Sequence, residues 1–250
     1  MNFKKDIIIS SNEKKLKRFY SSYGKIFTLP EERESYSGFR KIMSFNGRKD
    51  LIAKYGFFEE MIISYTYNQE VIAAVNFAVY STPNFIQKNY KINGTSHIIY
   101  IFVNEKYRKH GLGTKLVLDA EKTAEKISKG NVLFFIDVNN PLKMSSRQKI
   151  EDKKAGISEK NRILWWGNRG FRKLHFNFIL PPLEDKPCRY LMLAAKTNKT
   201  KIPSDIIREH LERFFSISVL KGKDAETDFY FKREENELNK NRFILTKILS

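Results

Sequence analysis

The chain has a single cysteine, Cys188, in 250 residues. That excludes an internal disulfide and any cysteine-built metal cluster, and the apolar stretch around it reads as the site of a packed thiol rather than a nucleophile. No apolar run approaches the ~18 residues that a membrane span needs, and the opening MNFKKDIIIS lacks the apolar core and cleavage site of a signal peptide. A cytoplasmic protein with no membrane partner and no metal is the expectation. Acidic residues are scarce, with 28 Asp and Glu against 46 Lys and Arg and a formal charge of +18. Such a surface attracts polyanions. The basic residues are nevertheless spread along the chain, and no nucleic-acid-binding module is found. The charge therefore reads as compositional bias, with a basic nucleic-acid-associated factor kept as a rival reading. Hydrophobic residues at 41% are enough to bury a full core.

Along the chain, residues 12–24 read as a first helix, and Pro30 with Glu31 and Glu32 as the entry to a second. From Glu60 to Ser81 the runs MIISYTY and VIAAVNFAVY flank Asn68, Gln69 and Glu70, a hairpin signal. His97–Val103 is a nearly continuous apolar strand. Residues 114–128 then place Leu116, Ala120, Ala124 and Ile127 at helical spacing, and Val132–Val138 is the next strand. The polar stretch from Asn139 to Lys160 reads as a surface excursion, and Ile163–Trp166 as a return to apolar structure. Strands are expected over 173–180 and 189–196, and a helix over 205–216. The division follows: a main domain over 1–200 and a helical appendage over 201–250, packed on the same domain.

The informative segment is NEKYRKHGLGTKL, in which Arg108, Lys109, His110, Gly111, Leu112 and Gly113 separate a buried strand from a helix beginning near Thr114. Glycines allow a tight turn and close approach of backbone N–H groups to a ligand, and a helix start adds unpaired donors and partial positive charge. Together with the basic side chains, these parts suit a diphosphate. Two other phosphate motifs do not fit: a dinucleotide fingerprint needs glycine where Leu116 stands, and a P-loop needs one where Arg108 stands.

These residues resemble the GCN5-related N-acetyltransferase (GNAT) family, whose signature is Arg or Gln, two residues, Gly, one residue, then Gly or Ala. Arg108, Gly111 and Gly113 match it. The later block VLFFIDV, Asn139-Asn140-Pro141 and RILWWGNRGFRKL is similar to the family's strand, helix and Gly-Phe pair, and LPEERESYSG and FNFILPPL resemble a bacterial branch. The resemblance covers about residues 10–196. It implies an α/β fold with a mixed, splayed central sheet flanked by helices, and acetyl-CoA as acyl donor. The acceptor would be a small-molecule or protein amine attacking the thioester directly. Backbone groups near Val103 would meet the pantetheine arm, and the N–H groups of Lys109–Thr114 the pyrophosphate, with Asn139, Asn140 and Trp166 as further cofactor contacts. Glu31, Glu32 and Arg33 would border the acceptor. The chain departs from the pattern at Trp166, where the family often has a tyrosine that protonates the leaving thiolate, since an indole N–H is no usable acid. A catalytically silent CoA-binding sensor is thus a second reading. For the base, His97 stands where some members place a glutamate, and imidazole ordinarily titrates near neutrality. Glu59 and Glu60 are competing candidates.

Overall fold

Strand-forming runs and amphipathic helices alternate along the chain, and they settle into two units. In the computed structural model, which describes residues 3–11, 13–153, 156–183, 186–239 and 243–248, one unit is Met1–Phe27 with Glu34–Val132 and the other is Thr28–Arg33 with Leu133–Ser250. Helices pack on strands in both, the α/β class expected from the sequence. No helix among the described residues is long and apolar enough to cross a membrane.

The first unit contains β1 (Lys4–Ile8), α1 (Glu13–Ile26), α2 (Tyr36–Met43), α3 (Lys49–Tyr55), β2 (Phe58–Tyr67), β3 (Glu70–Ser81), α4 (Asn84–Tyr90), β4 (Gly94–Val103) and α5 (Leu112–Ser128). Its strands run in the order β1-β2-β3-β4, each antiparallel to the next. The hairpin read between β2 and β3 closes over Asn68 and Gln69, both with positive φ (46° and 66°), the two-residue turn whose twist suits antiparallel strands.

Register decides which side chains share a face. Glu60 pairs with Ala78, which pairs with His97; Ile62 pairs with Asn76, which pairs with Tyr100. Directly paired residues project to the same side, so these six line one face. That face carries α1 and α2: Ile62, Ala74, Tyr100 and Phe102 cluster with Leu16, Phe19 and Tyr23 of α1 and Phe39 and Met43 of α2. Leu16, Phe19 and Tyr23 recur at helical spacing, and burying side chains of this size contributes about 1.5–3 kcal/mol each. The opposite face holds α5. There Tyr65 donates to Asp119 at 2.6 Å, Lys5 Nζ lies 2.8 Å from the same carboxylate oxygen, and Leu116, Val117, Ala120 and Ala124 are buried.

Pro30 does not open a long helix. Pro30–Glu32 makes one 3-10 turn, preceded by Leu29, whose side chain has nothing with which to cap it. The helix starts after Ser35, whose hydroxyl accepts the Gly38 N–H at 3.0 Å, the arrangement that satisfies an orphan first-turn donor.

The second unit contains β5 (Val132–Asn139), α6 (Ser146–Lys153), α7 (Glu159–Gly167), β6 (Phe171–Leu174), β7 (Leu191–Lys196), β8 (Lys201–Ile202), α8 (Ser204–Arg213), α9 (Phe229–Leu238) and β9 (Phe243–Lys247). Its strand order is β5-β7-β6-β9-β8, antiparallel throughout. The polar excursion contains α6, and Ile163–Trp166 lies within α7, capped by Ser158. β6 is shorter than read: it ends at Leu174, His175 N–H still reaches Ile244 O at 3.1 Å, and the next bridge among the described residues is Leu180 to Cys188, before Pro181 and Pro182 remove two backbone donors. After Pro203, α8 runs on into a π-helical turn, Phe214–Val219. Residues 201–250 are not helical alone, because β9 pairs with the edge of β6 that β7 leaves open. Arg208 of α8 joins α9 through Glu235 at 2.8 Å.

Candidate functional site

The segment from Val103 to Thr114 lies wholly in the first unit. β4 ends at Val103, a 3-10 turn covers Glu105–Tyr107, and α5 begins at Leu112. Lys109 and Gly111 both take positive φ, 66° and 75°. Gly111 is the N-cap of α5 and has no side chain with which to satisfy the first-turn donors. The first α-helical bond off this residue is Lys115 N–H to Gly111 O at 3.0 Å. A Cβ added to Gly111 would meet nothing within 4 Å, so the glycine is required by its φ and not by crowding. What results is a turn with two positive-φ residues leading into a helix whose N-cap is glycine, beside the exposed Lys109, His110, Thr114 and Lys115. Arg108 is half-buried and donates from Nε to the Val103 carbonyl at 3.0 Å. These features fit a phosphate-bearing ligand: a helix start whose N-cap residue has no side chain, and cations at one place.

The three candidate bases are divided by the pleat. Glu60 and His97 fall in one register row across Ala78, on the face that carries α1 and α2, and both are fully buried. Glu59 is one residue away and therefore on the α5 face; its half-buried carboxyl is held above its ordinary value by burial. Glu60 is tightly fixed. Its N–H donates to Asn46 Oδ1 at 2.9 Å, its carbonyl accepts from Asn46 Nδ2 at 2.7 Å, and its carboxylate accepts from Asn76 Nδ2 at 3.0 Å.

Asn139, Asn140 and Trp166 belong to the second unit. Asn139 donates to Asp152 Oδ1 at 3.3 Å, and Asn140 Oδ1 accepts the Leu142 N–H at 3.1 Å, an Asx turn. Trp166 is buried in α7 and meets Phe171 edge-on at 4.9 Å. Trp165 carries the Arg169 guanidinium 3.5 Å above its ring. Cys188 is fully buried, which pushes its thiol well up and leaves it a packing group.

A further titratable group of the second unit escaped the sequence reading as a chemical centre. Glu32 is pushed up to about 7 by burial; hydrogen bonding from Tyr190 opposes the rise, Asp152 adds to it and Arg162 opposes it. Arg162 Nη1 donates to Asp152 Oδ1 at 2.9 Å. Glu32, Asp152 and Tyr190 lie far apart in the chain, and no local spacing marks them as neighbours. Among the described residues no group of three or more His, Cys, Asp or Glu is placed to hold a metal ion.

A search of curated proteins finds no match. Among solved structures, a Bacteroides thetaiotaomicron protein assigned to the GNAT family of acetyltransferases superposes with a TM-score of 0.53 at 13% identity, covering 86% of this chain and 99% of its own. Arabidopsis thaliana Naa50 in complex with a CoA bisubstrate analogue gives 0.45 at 13% identity, over 77% and 98%. A GNAT family acetyltransferase from Elizabethkingia anophelis with acetyl-CoA bound gives 0.32 at 22% identity, over 59% and 81%. The first of these likenesses shows a shared fold. Residues 18–145, more than half of the chain and including the whole glycine turn, match the acetyltransferase (GNAT) family model; by that match the chain belongs to the family.

Proposed function

We propose that the protein transfers an acetyl group from acetyl-CoA to an amine. The amine nitrogen attacks the thioester carbonyl, the C–N bond forms, the C–S bond breaks, and the amine loses a proton as CoA leaves as a thiol. The observation that carries this reading is the uncapped start of α5 at Gly111, behind Arg108 and Lys109 and inside the span matched by the family model. In it, the N–H groups of Lys109–Thr114 hold the pyrophosphate, Val103 presents strand backbone to the pantetheine arm, and His97, Glu59 and Glu60 are the candidate bases. Asn139, Asn140 and Trp166 are the proposed cofactor contacts of the second unit. The acceptor is a small-molecule or peptide amine, in line with Naa50, whose solved complex holds a CoA-linked peptide analogue. The tracts LPEERESYSG and FNFILPPL support placing the chain in a bacterial branch, and an intracellular thioester donor supports a cytoplasmic setting.

A second reading, a sensor that binds acetyl-CoA without turnover, is favoured by Trp166, which is buried and offers no acid. Thiol release from acetyl-CoA across a panel of amines and N-terminal peptides separates the two. The transferase releases CoA in an amine-dependent way; a protein that binds acetyl-CoA and releases none with any amine is the sensor.

A further inference from the structure

Glu60 and His97 were separate candidates in the sequence, but the register makes them members of one row. Glu60 of β2 lies opposite Ala78 of β3, and Ala78 opposite His97 of β4. With strands about 4.8 Å apart, the two Cα atoms stand about 10 Å from each other on the same face. Ala78 puts only a methyl group between them, so a glutamate and an imidazole can meet above it. A larger residue there would fill that space. Burial makes the same demand. Glu60 is 1% exposed and His97 0%, and a carboxylate so deeply placed is costly without a strong partner. Asn76 supplies one neutral donor at 3.0 Å and a second bond of that amide group to Met61 O at 3.2 Å, which leaves its Oδ1 with no hydrogen-bond partner among the described residues. The other titratable groups that β2–β4 present to this face are Tyr80 and Tyr100, and α1 adds Tyr23 beside Tyr100 at 4.9 Å between rings.

We infer that Glu60 is the positioning residue of His97: its carboxylate, bonded by Asn76 on a backbone held by Asn46, accepts an imidazole N–H across Ala78 and leaves the other ring nitrogen as the proton acceptor for the amine. This rests on the acetyl transfer proposed above. The carboxylate selects one tautomer and holds the ring in one orientation, as the partner of the second ring nitrogen does for a histidine. Ala78 acts as the gap, and Glu59, across the sheet, takes no part.

The test uses the full chain with uniform nitrogen-15 labelling. A hydrogen-bonded imidazole N–H gives a downfield proton resonance, assigned to His97 by its absence in His97→Gln. In Glu60→Gln that resonance moves upfield or disappears, and kcat for the best amine falls at least ~10-fold while the KM for acetyl-CoA stays within about twofold. Ala78→Leu, which keeps both partners but fills the gap, has the same two effects and replaces Glu60→Gln should that variant fail to fold. An unmoved His97 resonance in a folded Glu60→Gln or Ala78→Leu variant overturns the pairing, and equal losses in turnover and acetyl-CoA affinity overturn the positioning role. If the wild type acetylates no amine, the transfer reading fails on its own account, and the resonance still decides whether the pair exists.

Discussion

Arg108 Nε donates to the Val103 carbonyl at 3.0 Å, which ties the entrance of the glycine turn to the last residue of β4. The first residue of the motif thus sets the distance between strand end and turn, besides contributing charge. Arg108→Ala removes both roles, and calorimetry should show acetyl-CoA affinity falling about 10- to 100-fold, the range of one lost charge-assisted bond. Arg108→Lys restores the charge without the planar fork and should recover less than half of the loss in free energy. Unchanged affinity in Arg108→Ala would detach this residue from the ligand.

Gly113 lies in the first turn of α5. In Gly113→Asp, a carboxylate is set against the bound phosphates, and affinity for acetyl-CoA should fall by about two orders of magnitude. The free protein should melt no lower, because an acid in a first turn gains about 0.3–1 kcal/mol from the helix dipole and the glycine's entropic cost is removed. Loss of binding with undiminished melting temperature is therefore the signature. An affinity equal to that of the wild type would contradict the phosphate assignment.

Asn46 Nδ2 donates to both Ile9 O and Glu60 O, at 2.7 Å each, and Asn46 Oδ1 accepts the Glu60 N–H at 2.9 Å. The side chain extends the ladder of β2 beyond the last residue of β1. Asn46→Ala leaves these backbone groups without that partner and should cost about 3 kcal/mol in urea denaturation. A cost under about 1 kcal/mol would mean that other groups take over its bonds.

Glu32 has a folded-state value of about 7, against an ordinary 4.5. A raised folded value means that the native state holds the proton more tightly than the unfolded chain does. Its stabilising effect is complete below pH 4.5 and is lost as pH rises to about 7. Across that window the wild type should lose on the order of 3 kcal/mol relative to Glu32→Gln, whose side chain does not titrate. Melting curves of the two proteins from pH 4 to 8 check this, and parallel pH profiles would show that burial of Glu32 has no such cost.

Local signals were enough for much of the first unit. The hairpin at Asn68-Gln69, the apolar strand ending at Val103 and the helix after Gly111 each follow from residue types within a few positions, and the structure has all three. Boundaries set by a competing local partner were harder to read. Ser35 and not Pro30 starts α2, because it carries the hydroxyl that caps Gly38 N–H. β9 was missed because its short strand becomes stable through the open edge of β6, which lies some seventy residues away.

The sequence by itself determined the glycine turn and its cations, since φ freedom and charge are properties of the residues Arg108–Gly113 and need no distant neighbour. Only the tertiary structure decided how the acids and histidine sort. A sheet alternates faces with every residue, so adjacent Glu59 and Glu60 part company, while Glu60 and His97, 37 positions apart in the chain, share a row through Ala78. Burial did the same for Glu32: its raised proton affinity comes from lost water and, against the hydrogen bond of Tyr190, from Asp152, groups that only folding brings to it.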